Sequence, residues 1–274
     1  MPVSSVKLAD VSIRPVATLQ EFRDCVDLQA EVWGPDYTDN VPASLLQVAA
    51  HIGGVVLGAF TSTGELVGLL FGLSGVKNGE IVHWSHLLGV RDSVRNLGVG
   101  RLLKEAQRID LAAKGIRRMS WTFDPLVAKN AYLNLNRLGA RVDAYVPNMY
   151  GTTTSPLHYG LATDRLVVSC GTQGPTPPMP SPRAPLSRLP VLTPRPRDGD
   201  LLLNVSTSPA AIWLEIPSDI RQVIEGSPEE AVEWRESVRE HFQWALAHGY
   251  EVIGIHRDTA ASRSFYVLRQ KEGA

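Results

Sequence analysis

The junction from Val90 to Leu103 limits what this chain can build more than any other stretch. An apolar, β-branched segment ending at Val90 passes through Arg91-Asp92-Ser93-Val94-Arg95-Asn96-Leu97-Gly98-Val99-Gly100-Arg101 and enters a helical pattern at once. Glycines there let the backbone turn tightly and come close to a ligand. The first turn of a helix leaves N–H groups that no carbonyl of the helix can reach. Those groups and the helix dipole together favour a phosphate at the helix start. Arg95 adds a guanidinium for a charge-assisted bond to the same group. The sequence therefore predicts an anion cradle for a pyrophosphate-bearing ligand, set between a strand and a helix.

Periodicity predicts alternating strands and helices around that junction. Val11 to Pro15 reads as a strand. Thr18 and Glu21 form a capping-box pattern for a helix that Gly34-Pro35 stops. A second helix covers Ser44 to His51. Gly54 to Phe60 and Leu66 to Ser74 flank a turn and read as a hairpin. Ile81 to Val90 is the next strand, and Gly98 to Ala113 the helix after the cradle. Ile116 to Phe123, Arg141 to Tyr145 and Leu166 to Cys170 read as further strands, with a helix over Val127 to Leu138. The segment 171–200 holds about half of the chain's prolines and is expected to be a linker outside any core. Beyond it, Leu201 to Val205 and Ala211 to Ile216 read as strands. Ser227-Pro228 starts a helix that runs to Gly249, and Tyr250 to His256 with Phe265 to Leu268 close the chain as strands. The expected organisation is a domain over 1–170, a linker over 171–200 and a smaller αβ extension over 201–274.

A chain of 274 residues can bury one large core or two modest ones. Its formal charge of −1 gives no electrostatic case for nucleic acid or an anionic membrane. Cys25 and Cys170 form neither a disulfide framework nor a metal spacing, so a reducing cytosol, and hence a cytoplasmic protein, is the expectation. His241, His248 and His256 also lack metal spacing, so no metal is expected. The start of the chain does not have the pattern of a signal peptide, and no apolar run reaches membrane-span length.

A dinucleotide-binding loop would open a βαβ unit early in its domain and be followed by an acidic residue. Here four strand-like segments precede the loop. A P-loop would need Gly-Lys-Ser/Thr, which is absent. The order β-α-α-β-β-β, then Arg95-x-x-Gly98-x-Gly100, then α-β-α-β resembles the GNAT superfamily of acyl-CoA N-acyltransferases over roughly residues 10–150. Trp121-Thr122-Phe123-Asp124-Pro125 and the stretch from Asn130 to Ala140 extend the likeness. The resemblance implies a mixed central sheet with splayed fourth and fifth strands, flanked by helices. It also implies acetyl-CoA or another acyl-CoA as co-substrate, with no metal. Leu88, Gly89 and Val90 would then pair with the pantetheine amides. Arg95, Asn96, Leu97, Gly98, Val99, Gly100 and Arg101 would hold the pyrophosphate, and Asn130 the pantetheine arm. The family's usual tyrosine acid falls at Leu135, so that phenol is missing. Long members with a Trp-Arg-rich C-terminal helix, like Glu233-Trp234-Arg235-Glu236 here, include proteins similar to enzymes that acylate or succinylate amino acids.

Direct transfer to a primary amine needs a group to take the ammonium proton. His86 lies on the strand leading to the cradle, where one member of the family has a histidine implicated as base. Period-2 alternation places His86, Leu88 and Val90 on one face and His83 on the other. The alternative is a histidine bonded within the sheet. Asp124 is a second candidate base, or else the cap of the helix near Val127. Tyr150 and Tyr132 are candidate acids, with Tyr132 more in keeping with helix packing. Arg235, Arg239 and Glu236 read as a solvated helix face unless the tail covers the acceptor pocket. The expected function is acyl transfer from CoA to a small-molecule amine such as an amino acid. A non-catalytic acyl-CoA-binding protein on the same fold is the rival, and a structural protein that dimerises through its tail is the third reading.

Overall fold

The computed structural model describes residues 7–151, 160–174, 189–198, 200–203 and 209–271. The fold is mixed α/β, with a large mixed sheet flanked by helices and a separate four-stranded sheet. The chain divides into two compact units. The first is built on residues up to Trp121, and the short stretch from Gly171 returns to it; the second is built on residues from Thr122 onward.

The first unit opens with β1 (Val11–Pro15), α1 (Leu19–Trp33) and α2 (Ala43–His51), followed by β2 (Val55–Thr61), β3 (Leu66–Lys77) and β4 (Glu80–Val90). The capping box predicted for α1 is present: Thr18 Oγ1 accepts from Glu21 N–H at 3.2 Å, and Glu21 Oε2 accepts from Thr18 N–H at 3.2 Å. Strands β1 to β4 pair antiparallel in sequence order, with Pro15 opposite Leu57, Val55 opposite Gly72 and Gly68 opposite Val90. Helices α1 and α2 cover one face of this sheet. Phe22, Cys25, Leu28 and Leu46 pack there with Phe60, Leu69, Phe71 and Leu87, all buried. Each such side chain contributes about 2 kcal/mol of burial. Helix α3 (Val99–Ala113) packs on β2, β3 and β4. Then β5 (Arg118–Phe123) runs parallel to β4, matching His83 to Met119 and Trp84 to Ser120.

In the second unit one turn of α-helix, α4 (Ala128–Ala131), continues as a π-helix over Tyr132–Arg137. The single α-helix expected over Val127 to Leu138 therefore widens after one turn. The widened turn sets Asn136 against the backbone of the strand β10 (Tyr250–Asp258). Its amide donates to Ile255 C=O and accepts from Ile255 N–H, both at 3.1 Å. The strands β6 (Arg141–Val146) and β7 (Arg165–Gly171) pair antiparallel. The four-stranded sheet has the order β10-β11-β9-β8, where β8 is Val191–Leu192, β9 is Ala211–Pro217 and β11 is Arg263–Gln270. Two helices accompany it: α5 (Ile220–Gly226), which periodicity did not reveal, and α6 (Pro228–Ala247), capped by Ser227 Oγ on Glu230 N–H as its sequence predicts.

Strand β8 lies inside the segment expected to be a linker. Val191 and Leu192 are each 4% exposed, and Pro190 C=O accepts from Trp213 N–H at 2.8 Å. Two apolar residues among prolines are too short a signal to read from periodicity, yet both are buried, and Val191 packs in the core with Trp213 and Phe265. Residues 175–188 and 199 of that segment, and the last two of the strand expected over Leu201 to Val205, lie outside the described residues.

Candidate functional site

The predicted junction between β4 and α3 forms in the first unit. After Val90 the chain makes one turn of 3-10 helix at Asp92–Val94 and then two left-handed residues, Asn96 at φ 64° and Gly98 at φ 96°. Gly98 is the N-cap of α3 and offers no side-chain cap. A side chain at that φ would be strained, so glycine is what lets the turn close. The first donor engaged at this end is Arg101 N–H, which reaches Gly98 C=O at 3.1 Å. Among the described residues, no hydrogen bond within the protein uses the N–H groups of Leu97, Gly98, Val99 and Gly100. Four neighbouring donors at a positive helix end suit an anion.

The two arginines of the loop sit at its rim, turned toward protein partners. Arg95 Nε donates to Val90 C=O at 3.2 Å, and its guanidinium pairs with Asp92. Arg101 pairs with Glu105 at 2.7 Å along α3. Both pairs are exposed, and such pairs are worth at most about 1 kcal/mol, so either arginine can exchange its carboxylate for a phosphate.

Strand β4 carries a bulge at His86. Phe71 of β3 lies opposite Leu87, while Gly72 lies opposite Ser85, which leaves His86 as the extra residue. One extra residue shifts the alternation by one place. The face assignment from simple period-2 counting is corrected accordingly. Leu88 lies toward α3, where a Cβ on Gly100 would stand 3.4 Å from it; His83 and Ser85 lie on that side too, bonded to Gln107 and Lys104 of α3. His86 instead turns to the face of α1 and α2, edge-on to Phe71 at 5.9 Å between centroids. Its ring is exposed. Partial desolvation lowers its pKa from the usual 6.5, and Asp39, between α1 and α2, works against that shift. Gly89 faces α1 so closely that a Cβ would stand 2.8 Å from the Trp33 ring.

His83 takes up the alternative considered for a strand histidine. Its Nδ1 lies 2.9 Å from Ser74 Oγ and its Nε2 2.9 Å from Gln107 Nε2. Burial and the nearby charge of Lys104 lower its pKa to about 4, so it is neutral at pH 7.

On its β3 side, β4 is fully paired through Leu88, Gly89 and Val90. On the β5 side, the ladder holds at His83 and Trp84 and, among the described residues, runs no further. From Ser85 onward that edge is open to an extended, amide-bearing ligand.

The remaining expected site residues belong to the second unit. Asp124 is engaged on both oxygens: Arg235 Nη1 and Nη2 donate to Oδ1 and Oδ2 at 2.9 and 2.7 Å. Leu126 N–H donates to Oδ1 at 2.8 Å, and Arg165 stands 3.6 Å from Oδ2. Burial alone would raise its pKa, but the two arginines and the N–H outweigh it and hold the carboxyl below its usual 3.8. A carboxylate so held is a poor proton acceptor; it accepts from Leu126 N–H ahead of α4, whose N-cap, Val127, has no side-chain cap. Tyr150 is half exposed; its hydroxyl lies 3.1 Å from Thr122 Oγ1. Asn130 is exposed on α4 and Leu135 fully buried.

The solvated face expected of α6 is corrected at two positions. Arg235 is 3% exposed, and Arg239 donates to both oxygens of Asp164 at 2.8 and 2.7 Å. Asp164 also accepts from Tyr145 Oη at 2.6 Å and from Asn148 N–H at 2.9 Å. The i, i+4 spacing of Arg235 and Arg239 places both on one face of α6. No cluster able to hold a metal occurs among the described residues.

No family model matches the sequence, and no curated protein matches it. Among solved structures, the chain is similar to a GNAT-family acetyltransferase from Streptococcus pneumoniae at a TM-score of 0.48 and 16% identity, over 59% of this chain and 99% of that one. It is also similar to the ribosomal-protein-S18-alanine N-acetyltransferase from Escherichia coli (TM-score 0.46, 14% identity, 60% and 95% covered). A third is Arabidopsis thaliana Naa50, solved with a bisubstrate analogue of CoA (TM-score 0.45, 18% identity, 59% and 98% covered).

Proposed function

We propose that the chain is a GNAT-type, acyl-CoA-dependent N-acyltransferase that moves an acetyl, succinyl or similar group directly to a primary amine of a small molecule such as an amino acid. The observation that carries this reading is the pairing of two features in one unit. Unused N–H donors at the start of α3 follow a strand whose outer edge opens after Trp84.

Bound acyl-CoA would supply an activated thioester carbonyl. The N–H groups from Leu97 to Gly100, with Arg95 and Arg101 at the rim, would hold its pyrophosphate. The open edge at Leu88, Gly89 and Val90 would take the amides of the pantetheine arm, as the resemblance implies. His86 stands exposed with a lowered pKa, so at pH 7 it is a neutral imidazole able to accept the ammonium proton. Asn130 and Tyr150 stay in the proposal on the resemblance and on exposure, and Asp124 is assigned to the Arg235 pair. The proposed division remains an acyl-CoA-binding domain over 1–170, a connector over 171–200 and an extension over 201–274.

Calorimetry with CoA tests the cofactor, and absence of binding refutes the proposal. Thiol release from acetyl-CoA or succinyl-CoA over an amino-acid panel tests the transfer. Binding without turnover on any amine would favour the non-catalytic reading, which the missing phenol at Leu135 supports.

A further inference from the structure

Lys104 is a charged side chain of α3 buried to 4% exposure. Its Nζ donates to Ser85 Oγ at 2.8 Å and lies 4.2 Å from the centre of the Trp121 ring. Ser85 is the first residue of β4 past the last matched pair, Trp84 with Ser120, and Trp121 is the first of β5 past it. The ammonium therefore sits at the fork where the two strands part. An ammonium only donates, so Ser85 Oγ accepts and its own hydrogen must point elsewhere. Ser85 is 5% exposed, and among the described residues its Oγ makes no second hydrogen bond. A buried hydroxyl hydrogen without an acceptor is costly, and it lies at the closed end of the open edge. Five residues separate Val90 from Ser85, about 16 Å of strand. An extended pantetheine arm that starts at the cradle covers such a span, which brings its sulfur to the fork.

We infer that the Ser85 hydroxyl, aimed by the Lys104 ammonium, donates a hydrogen bond to the sulfur of the acyl-CoA thioester at this fork. The inference rests on the acyl-CoA reading above. As the amine nitrogen bonds to the acyl carbon, the C–S bond breaks and its electron pair passes to sulfur. Ser85 O–H stabilises that developing thiolate without giving up its proton. The proton shed by the amine goes to His86 or to water, and the released thiolate is protonated from solvent. Ser85 is the catalytic residue here and Lys104 the positioning residue. They take over the task of the phenol missing at Leu135.

The other titratable groups around the fork do not mimic this effect. His83, on the same side of β4, is neutral above about pH 4. Asp110 and Lys114, further along α3, pair with each other at 2.6 Å.

The test needs no acceptor. CoA is bound to the wild-type protein and to Ser85→Ala, Lys104→Met and Lys104→Arg, with affinities from calorimetry. The bound thiol is then titrated by its thiolate absorbance. The expected result is CoA binding by every variant and a thiol pKa about one unit higher on Ser85→Ala and Lys104→Met than on the wild type, with Lys104→Arg restoring the lower value. Equal thiol pKa values on the wild type and Ser85→Ala overturn the inference and leave the acyl-CoA reading standing. Failure of the wild type to bind CoA overturns both. If Lys104→Met does not fold, Ser85→Ala alone decides.

Discussion

Replacing Arg235 by Met should change both the size and the pH dependence of stability. In the wild type the Arg235 and Asp124 side chains are 4% and 15% exposed and share two hydrogen bonds. Removing one partner of such a pair leaves a buried charge and costs about 3–5 kcal/mol. Arg165, 3.6 Å from Asp124, and the Leu126 N–H remain, which puts the expected loss near the lower end, about 3 kcal/mol. In the wild type the lowered pKa of Asp124 adds stability above its unfolded value that is lost as the pH falls through the folded one. In Arg235→Met burial prevails and the folded pKa rises above the unfolded value. Its contribution is then present at low pH and lost as the pH rises through the folded pKa. The variant should therefore recover part of its deficit as the pH falls through that raised pKa. Urea unfolding followed by tryptophan fluorescence over a series of pH values from neutral to acid measures this. The double variant Asp124→Asn, Arg235→Met should lose clearly less than the sum of the single losses. A single-variant loss below about 1 kcal/mol, the range of an exposed pair, or a deficit that does not shrink on acidification refutes the account of Asp124 as a structural anion.

The cradle is tested by Gly98→Glu, which places a carboxylate at the helix start and should abolish CoA binding in calorimetry while circular dichroism shows the fold retained. Gly98→Ala carries the same backbone strain of about 1–3 kcal/mol at φ 96° without the charge and should keep most of the affinity; CoA binding by the Glu variant would displace the pyrophosphate from this loop. His86→Gln should lower kcat by about 10²-fold or more. Wild-type kcat should fall with acidification below the lowered His86 pKa, a limb absent from the variant; an unchanged profile would remove His86 as base. Asn136→Leu leaves Ile255 N–H and C=O without partners and should cost about 2 kcal/mol in urea unfolding. A negligible loss would show that β10 finds other hydrogen bonds.

What was legible in the sequence follows from the range of the rules involved. The α1 capping box, the Ser227 cap of α6 and the strand-to-helix junction at Gly98 depend on a few adjacent residues, and all three formed as read. The face of His86 depends on register, and a bulge leaves no mark in composition. Counting by twos therefore put His86 beside Leu88, when the extra residue sends it to the opposite layer. Arg235 misled for a related reason. With Glu233, Glu236 and Glu240 around it, it reads as surface, and its burial follows from Asp124, 111 positions away. Lys104 escaped notice because a lysine on a helix is ordinary unless one knows that it meets Ser85 and Trp121. Asn136 shows the same limit: a π-turn and a distant strand give its amide a purpose that no local pattern marks.

Strand β4 is also a partition. Ser85 and His86 are neighbours in the chain, yet one bonds to α3 while the other leans on Phe71 on the α1 side. Successive residues of a strand face opposite sides of the sheet, so these two polar groups do not bond to each other and spend their capacity. Here a layer of paired backbone stands between them, so a hydrogen-bond donor and a proton acceptor keep separate environments within a single peptide unit. Each can be tuned by the helix on its own side, and a change in α3 need not disturb the titration of His86. Alternation thus gives one strand two chemically insulated surfaces, and the inserted residue places Leu88 on that of Ser85 rather than that of His86.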